Sequence, residues 1–311
     1  NCGSLTEVKI GAADFIDMSA FKGCSNLGKV TIDGSALSTN SGKVTQYMSI
    51  FDDCKDDLAF EVPTNTNAYS FLNEYVDKHN SLYGTHYTIF KQTYVLKKGA
   101  DFNASIPDTA ETIQFCYDKA PSDATIIDVD DDGDGGVVAW MEGTTAKVST
   151  QTPGIKIQAN ADCSLMFAYR GRKSDATPSA LDDSDVQVYG STSAALTSID
   201  FAALDTSKTA NMNMMFADCD GLTSVNVGNF DTSNVTDMSG MFYCCKNIPS
   251  LDVSGFNTSK VTNMGGVFFG CESLTSLDVS NFNTINVTEM SGMFRDCSSL
   301  ASLDVSGFNT A

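Results

Sequence analysis

The sequence predicts an α/β repeat protein. Its coils hold one short strand plus one short helix each, in two arrays separated by a β-rich module. Three observations predict this. First, Leu196, Leu222, Ile248, Leu274 and Leu300 stand 26 residues apart, and so do Met212, Met238, Met264 and Met290. Phe216, Phe242, Phe268 and Phe294 keep the same interval, as do Cys219, Cys245, Cys271 and Cys297. Second, residues 1–10 (NCGSLTEVKI) match residues 23–32 (GCSNLGKVTI) at a period of 22. Third, residues 97–190 show no repeat, only short alternating runs divided by Asp, Gly and Pro. A fixed interval of this length marks units that bury a shared core by stacking, because one unit alone cannot close a core.

Residues 1–96 form the first array. Phe21 and Cys24 recur as Phe51 and Cys54, with eight extra residues in the coil between, and Phe60 and Val62 continue the strand series. Residues 68–79 read as a helix with Phe71, Leu72, Tyr75 and Val76 on one side, expected to cover the open edge of the last coil. Residues 86–96 read as a strand. Residues 97–195 form the β-rich module, with strands expected over 112–117, 136–141, 146–150 and 155–159. Residues 196–311 hold four full 26-residue units and the start of a fifth. In each unit a run such as Leu274-x-x-Leu277-x-Val279 predicts a strand, with Leu277 and Val279 inward and Ser276, Asp278 and Ser280 outward. Met238, Met241, Phe242 and Cys245 fall at i, i+3, i+4 and i+7, which predicts a two-turn helix with Thr236 as its cap.

Composition excludes several functions. The chain has 311 residues, with 19 Lys and Arg against 39 Asp and Glu, a net charge of −20. Nucleic-acid binding needs basic patches, so it is disfavoured, as is docking on anionic lipid. The two histidines, His79 and His86, have no Cys, Ser or acid partner at a motif spacing, which leaves them structural or solvent-exposed. No C-x-x-C occurs, which argues against a thiolate zinc site. Ten cysteines invite a disulfide reading. Their fixed place beside Phe and Met argues instead for small buried apolar residues, with Cys2, Cys24 and Cys54 in the same role and Cys244 pointing elsewhere.

The C-terminal pattern V-T-x-M-S-x-M-F-x-x-C, followed by S-L-x-x-L-D-V-S-x-F-x-T, resembles the 26-residue bacterial surface protein repeat. The N-terminal A-F-x-G-C-S-x-L units resemble BspA-like leucine-rich repeats, and the run from Gly136 to Trp140 with KIQANADCSLMF resembles the leader module that precedes such repeats. The resemblance implies leucine-rich-repeat solenoids, no catalytic residues, and a secreted or wall-attached bacterial protein. It implies adhesion to a host protein or glycan, the alternative being a structural stalk that presents a functional segment lying elsewhere. The leader departs from the pattern. The leucine expected about six residues after Met166-Phe167 is Leu196, so about 23 polar residues are inserted near 170–195. With no signal peptide or anchor, and with ends inside repeat units, the chain reads as a piece of a longer protein.

Binding candidates are the outward positions Ser250, Asp252, Ser254, Ser276, Asp278, Ser280 and Asp304, and the insert residues Asp182, Asp183, Asp185 and Tyr189. Asp200, Asn226, Asp252, Asp278 and Asp304 form one acidic row. Like charges about 5 Å apart cost roughly 1 kcal/mol in water, so such a row suits a cationic partner or a hydrated face. Asp128, Asp130, Asp132 and Asp134 match the D-x-D-x-D-G opening of a calcium loop, though the twelfth position is Ala139 or Met141 rather than an acid. Calcium is the one candidate ligand among cofactors. Nothing pairs two acids for catalysis, so no enzyme is expected.

Overall fold

A computed structural model describes residues 2–10, 20–32, 50–63, 67–92, 94–133, 135–152, 154–170 and 195–309. The chain divides into two compact units, residues 1–94 with 152–155, and residues 95–151 with 156–311.

In the first unit β1 (Glu7–Ile10), β2 (Lys29–Ile32), β3 (Ala59–Pro63) and β4 (Thr88–Gln92) form a parallel sheet in that order. The period-22 match is a strand register: Glu7 pairs with Lys29 and Ile10 with Ile32. Alternation buries Val30, Ile32, Phe60 and Val62. Helix α1 (Asn67–Tyr83) buries Phe71, Leu72, Tyr75 and Val76 against Phe51, Phe60 and Tyr87. It is not a lid on the last coil. It connects β3 to β4 and packs on both, as a parallel connection requires, and β4 takes the edge.

The second unit opens with α2 (Gly99–Ser105), which the sequence did not announce. A five-stranded sheet follows in the order β10-β5-β8-β7-β6. It comprises β5 (Thr112–Cys116), β6 (Ile127–Asp128), β7 (Val138–Glu142), β8 (Thr145–Ser149) and β10 (Ser198–Asp200). β9 (Ile157–Gln158) pairs in parallel with β11 (Leu204–Asp205). Because β10 belongs to the first 26-residue unit yet pairs with β5, the β-rich module and the repeats pack as one body. Arg170 reinforces the join. Its buried guanidinium donates to Asn103 Oδ1 at 2.7 Å, to the Asn103 carbonyl in the last turn of α2 at 2.6 Å and to the carbonyl of its C-cap, Ile106, at 2.8 Å.

The 26-residue units stack, but not as expected. No helix forms between Met212 and Cys297. The N–H groups of Met212, Met214, Phe216 and Asp218 donate to the carbonyls of Asp237, Ser239, Met241 and Tyr243 in the next unit, at 2.8–2.9 Å. The intervening N–H groups of Met215, Ala217 and Cys219 donate three residues back. The segment is therefore a series of tight turns, half its donors serving the turn and half the neighbouring unit. The third position of alternate turns needs positive φ: Met214, Gly240, Gly266 and Gly292 form one such column, and Asp218, Cys244, Gly270 and Asp296 the other. Thr236 caps no helix. Its hydroxyl donates to the Ala210 carbonyl of the previous unit.

The expected strand of each unit also shortens. Among the described residues of these runs from Leu222 onward, the one bridge is Ser250 with Ser276, between the third and fourth units. Pro249 supplies no N–H, and the N–H of Ser254 turns back to Oδ1 of Asp252 instead of crossing to a neighbour.

Side chains complete the stack. Rings of Phe216, Phe242 and Phe268 lie 5.3 and 5.9 Å apart and nearly parallel. Each thiol of Cys245, Cys271 and Cys297 donates to the Phe carbonyl 29 residues back, at 3.0–3.2 Å. All ten cysteines are free; Cys2 is exposed rather than buried, and Cys244 packs in a separate cluster with Tyr169 and Tyr243. Buried Thr206, Thr232, Thr258 and Thr284 each grip one residue of the next unit. Thr258 Oγ1 accepts the Asn283 N–H at 2.7 Å and donates to the Asn283 carbonyl at 3.1 Å.

The leader joins the same stack. Cys163, Leu165, Phe167 and Tyr169 donate to Asn211, Asn213, Met215 and Ala217. The step is 48 residues where the later units use 25, and 48 − 25 = 23, the length of the insert.

Candidate binding surface

The surface is built at the corners of the units. Asp252 Oδ1 accepts the Ser254 N–H at 3.0 Å and its hydroxyl at 2.6 Å. Asp278 Oδ1 accepts the Ser280 N–H at 2.9 Å, and Asp304 Oδ1 that of Ser306 at 2.9 Å. Ser254 and Ser280 are thus holders of the carboxylates, while Ser250 and Ser276 stand beside them on exposed backbone. The hydrogen bonds from Ser254 hold Asp252 below the usual carboxylate range, those from Ser280 do the same for Asp278, and the Ser306 backbone for Asp304. All three therefore stay charged at neutral pH. With Ser250, Ser276 and Ser302 they line an open groove of about 550 Å³. One oxygen of each carboxylate is fixed by its own turn; the array offers acceptors at a regular spacing to hydroxyl or cationic donors.

Of the other predicted residues, Asp182, Asp183, Asp185 and Tyr189 lie outside the described residues, as does Asp134 of the acidic turn. In that turn Asp128 Oδ1 accepts the Asp130 N–H at 2.9 Å. Asp130 is fully buried and takes the N–H groups of Asp131 and Gly136 on its two oxygens. Asp132 is exposed. Among the described residues no group of three or more His, Cys, Asp or Glu side chains is arranged to hold a metal ion. No described helix is long and apolar enough to cross a membrane.

Sequence reasoning missed a second polar column. Asp162, Asn211, Asp237, Asn263 and Glu289 are joined in series by parallel bridges. Carboxylate and amide alternate there: Asn211 Nδ2 donates to Asp162 Oδ1 at 3.0 Å and Asn263 Nδ2 to Asp237 Oδ2 at 3.4 Å. Each amide separates two charges that would otherwise repel. The 26-residue interval from Asn211 to Glu289 was the available signal. The row Asp252, Asp278, Asp304 has no such spacer, which makes it the more acidic of the two faces.

Residues 1–75 match the family model for the BspA type Leucine rich repeat region. Residues 192–251 and 210–311 match the model described as Mycoplasma protein of unknown function, DUF285. No curated protein matches the chain, and no solved structure does.

Proposed function

Taking as premise that the chain is a BspA-like leucine-rich-repeat surface protein, we propose that it is non-enzymatic and binds a host extracellular protein or glycan through the outward face of its 26-residue repeats. The reading places it at the bacterial surface or in the secreted fraction. One observation carries it: Asp252, Asp278 and Asp304 are exposed, oriented and unspaced by amides along a groove of about 550 Å³. A regular row of acceptors suits a repeating ligand, either the hydroxyls of a glycan or successive Lys and Arg side chains. The side chains are small and lack the Trp, Tyr and Arg that dominate tight interfaces. Each contact is weak, and affinity comes from engaging several units at once.

The test is a panel of immobilised matrix proteins and glycans, with the parent chain compared with a triple variant Asp252→Ser, Asp278→Ser, Asp304→Ser. Retention of the parent and at least a tenfold loss in the variant are expected. Equal retention moves binding off this face. Retention of neither supports the spacer reading, in which the stack only holds another segment away from the cell.

A further inference from the structure

We propose that the N-terminal unit carries an acid-operated latch, in which uptake of a proton at Nε2 of His79 loosens helix α1 from the turn that holds Asp52. The geometry fixes which nitrogen titrates. Asn80 Nδ2 donates to the Tyr87 carbonyl at 2.9 Å, which orients its Oδ1 to accept the Tyr87 N–H at 2.9 Å and the Thr85 hydroxyl at 2.8 Å. The Thr85 proton is thereby committed. Its oxygen, 3.0 Å from His79 Nδ1, acts as acceptor, so Nδ1 carries the hydrogen.

Nε2 is then a bare lone pair. It is buried and, among the described residues, has no hydrogen-bond partner; Oδ1 of Asp52 stands 3.8 Å away. Two acceptors face each other inside the fold. The other oxygen of Asp52 is held by Lys22 at 3.2 Å. The ring stacks on Tyr87 at 4.5 Å and lies against Tyr75 and Tyr83 on its own helix. The charges of Asp53 and Asp56 also act on Tyr87.

A proton at Nε2 creates a cation in a site only 4 % exposed, with its counter-charge beyond hydrogen-bond reach. Desolvation outweighs the help from Asp52 and lowers the His79 pKa below its ordinary 6.5. The sign follows: with the folded value below the unfolded one, stability is complete above about 6.5 and declines as pH falls toward the folded value. His79 links α1 to both the Asp52 turn and the Tyr87 segment that feeds edge strand β4. That edge is where acid acts first.

The experiment is NMR titration of the imidazole signals in the full chain, with His86→Gln to assign the second ring. Thermal unfolding is followed in parallel between about pH 7 and pH 5. His79 is expected to titrate below 6.5, with the midpoint of the N-terminal transition falling by several degrees. Asp52→Asn should move the titration lower still, since it removes the charge that favours the proton. His79→Phe, which keeps the ring stack, should remove the pH dependence across this range. Titration of His79 at or above 6.5 overturns the proposal, and so does an equal acid loss in parent and His79→Phe. If that variant does not fold, the titration of the parent decides alone.

Discussion

The two repeat arrays start from similar sequence patterns and reach different backbones. Both place an L-x-x-L/V-x-V/I run before a Phe and a Cys. In the first unit that run becomes strands of four or five residues paired in register. In the second only the first unit keeps a strand, β10 on β5; from Leu222 onward the run is extended chain with a single bridge among the described residues, and the hydrogen bonds move to the turns and to side chains. The outward positions differ between the two arrays. Glu7, Lys9, Lys29 and Thr31 leave the strand N–H groups free to pair with a neighbour. Asp252, Asp278 and Asp304 capture the N–H two residues on, and bend the chain away from its neighbour. Column spacing thus sets what is buried but not whether a sheet forms, since Asp200 takes the Ala202 N–H in the same way and still ends strand β10, paired with β5.

The largest test of that contrast is Phe242→Ala. The ring is fully buried between Phe216 and Phe268, and truncation should cost about 3–5 kcal/mol, unfolding the C-terminal array in calorimetry. Next is Thr258→Val. It leaves the N–H and carbonyl of Asn283 without their partner and should cost about 2 kcal/mol in denaturant unfolding. Thr206, Thr232 and Thr284 make the same pair of bonds to Asp231, Asn257 and Asn309, so the effect belongs to the 26-residue units. The smallest and sharpest is Gly266→Ala. At φ +60° an added Cβ is strained, and a loss of about 1 kcal/mol is expected. Were the segment a helix, the same change would stabilise by about 1 kcal/mol, so the sign alone separates the two backbones.

Most of the buried columns were legible from spacing, because an identical interval can only be met by stacked, equivalent positions. Leu222, Ile248 and Leu274 are fully buried as expected. The helix was misread because i, i+3, i+4, i+7 is also the spacing of consecutive tight turns. Gly240, Gly266 and Gly292, each in the middle of the expected helix, were the contrary signal. Asp252, Asp278 and Asp304 were correctly placed outward, but their use of Ser254, Ser280 and Ser306 as holders was not foreseen. An Asp followed two residues later by Ser is the mark of such a turn. Thr258 was missed because a hydroxyl in the core satisfies backbone rather than packing, which hydrophobic patterning does not report. Helix α2 is held by Arg170, a partner 67 residues from Asn103, and nothing local announces that.

The forward donation from each turn segment to the next has a consequence for how such a chain changes over generations. From Leu222 onward the hydrogen bonds between units run between immediate neighbours, and those neighbours present the same carbonyls, rings and hydroxyls. A duplication or deletion of 26 codons in register would leave no donor stranded and no cavity open. The length of the stack can therefore be adjusted in whole increments by recombination, without any compensating substitution in the core.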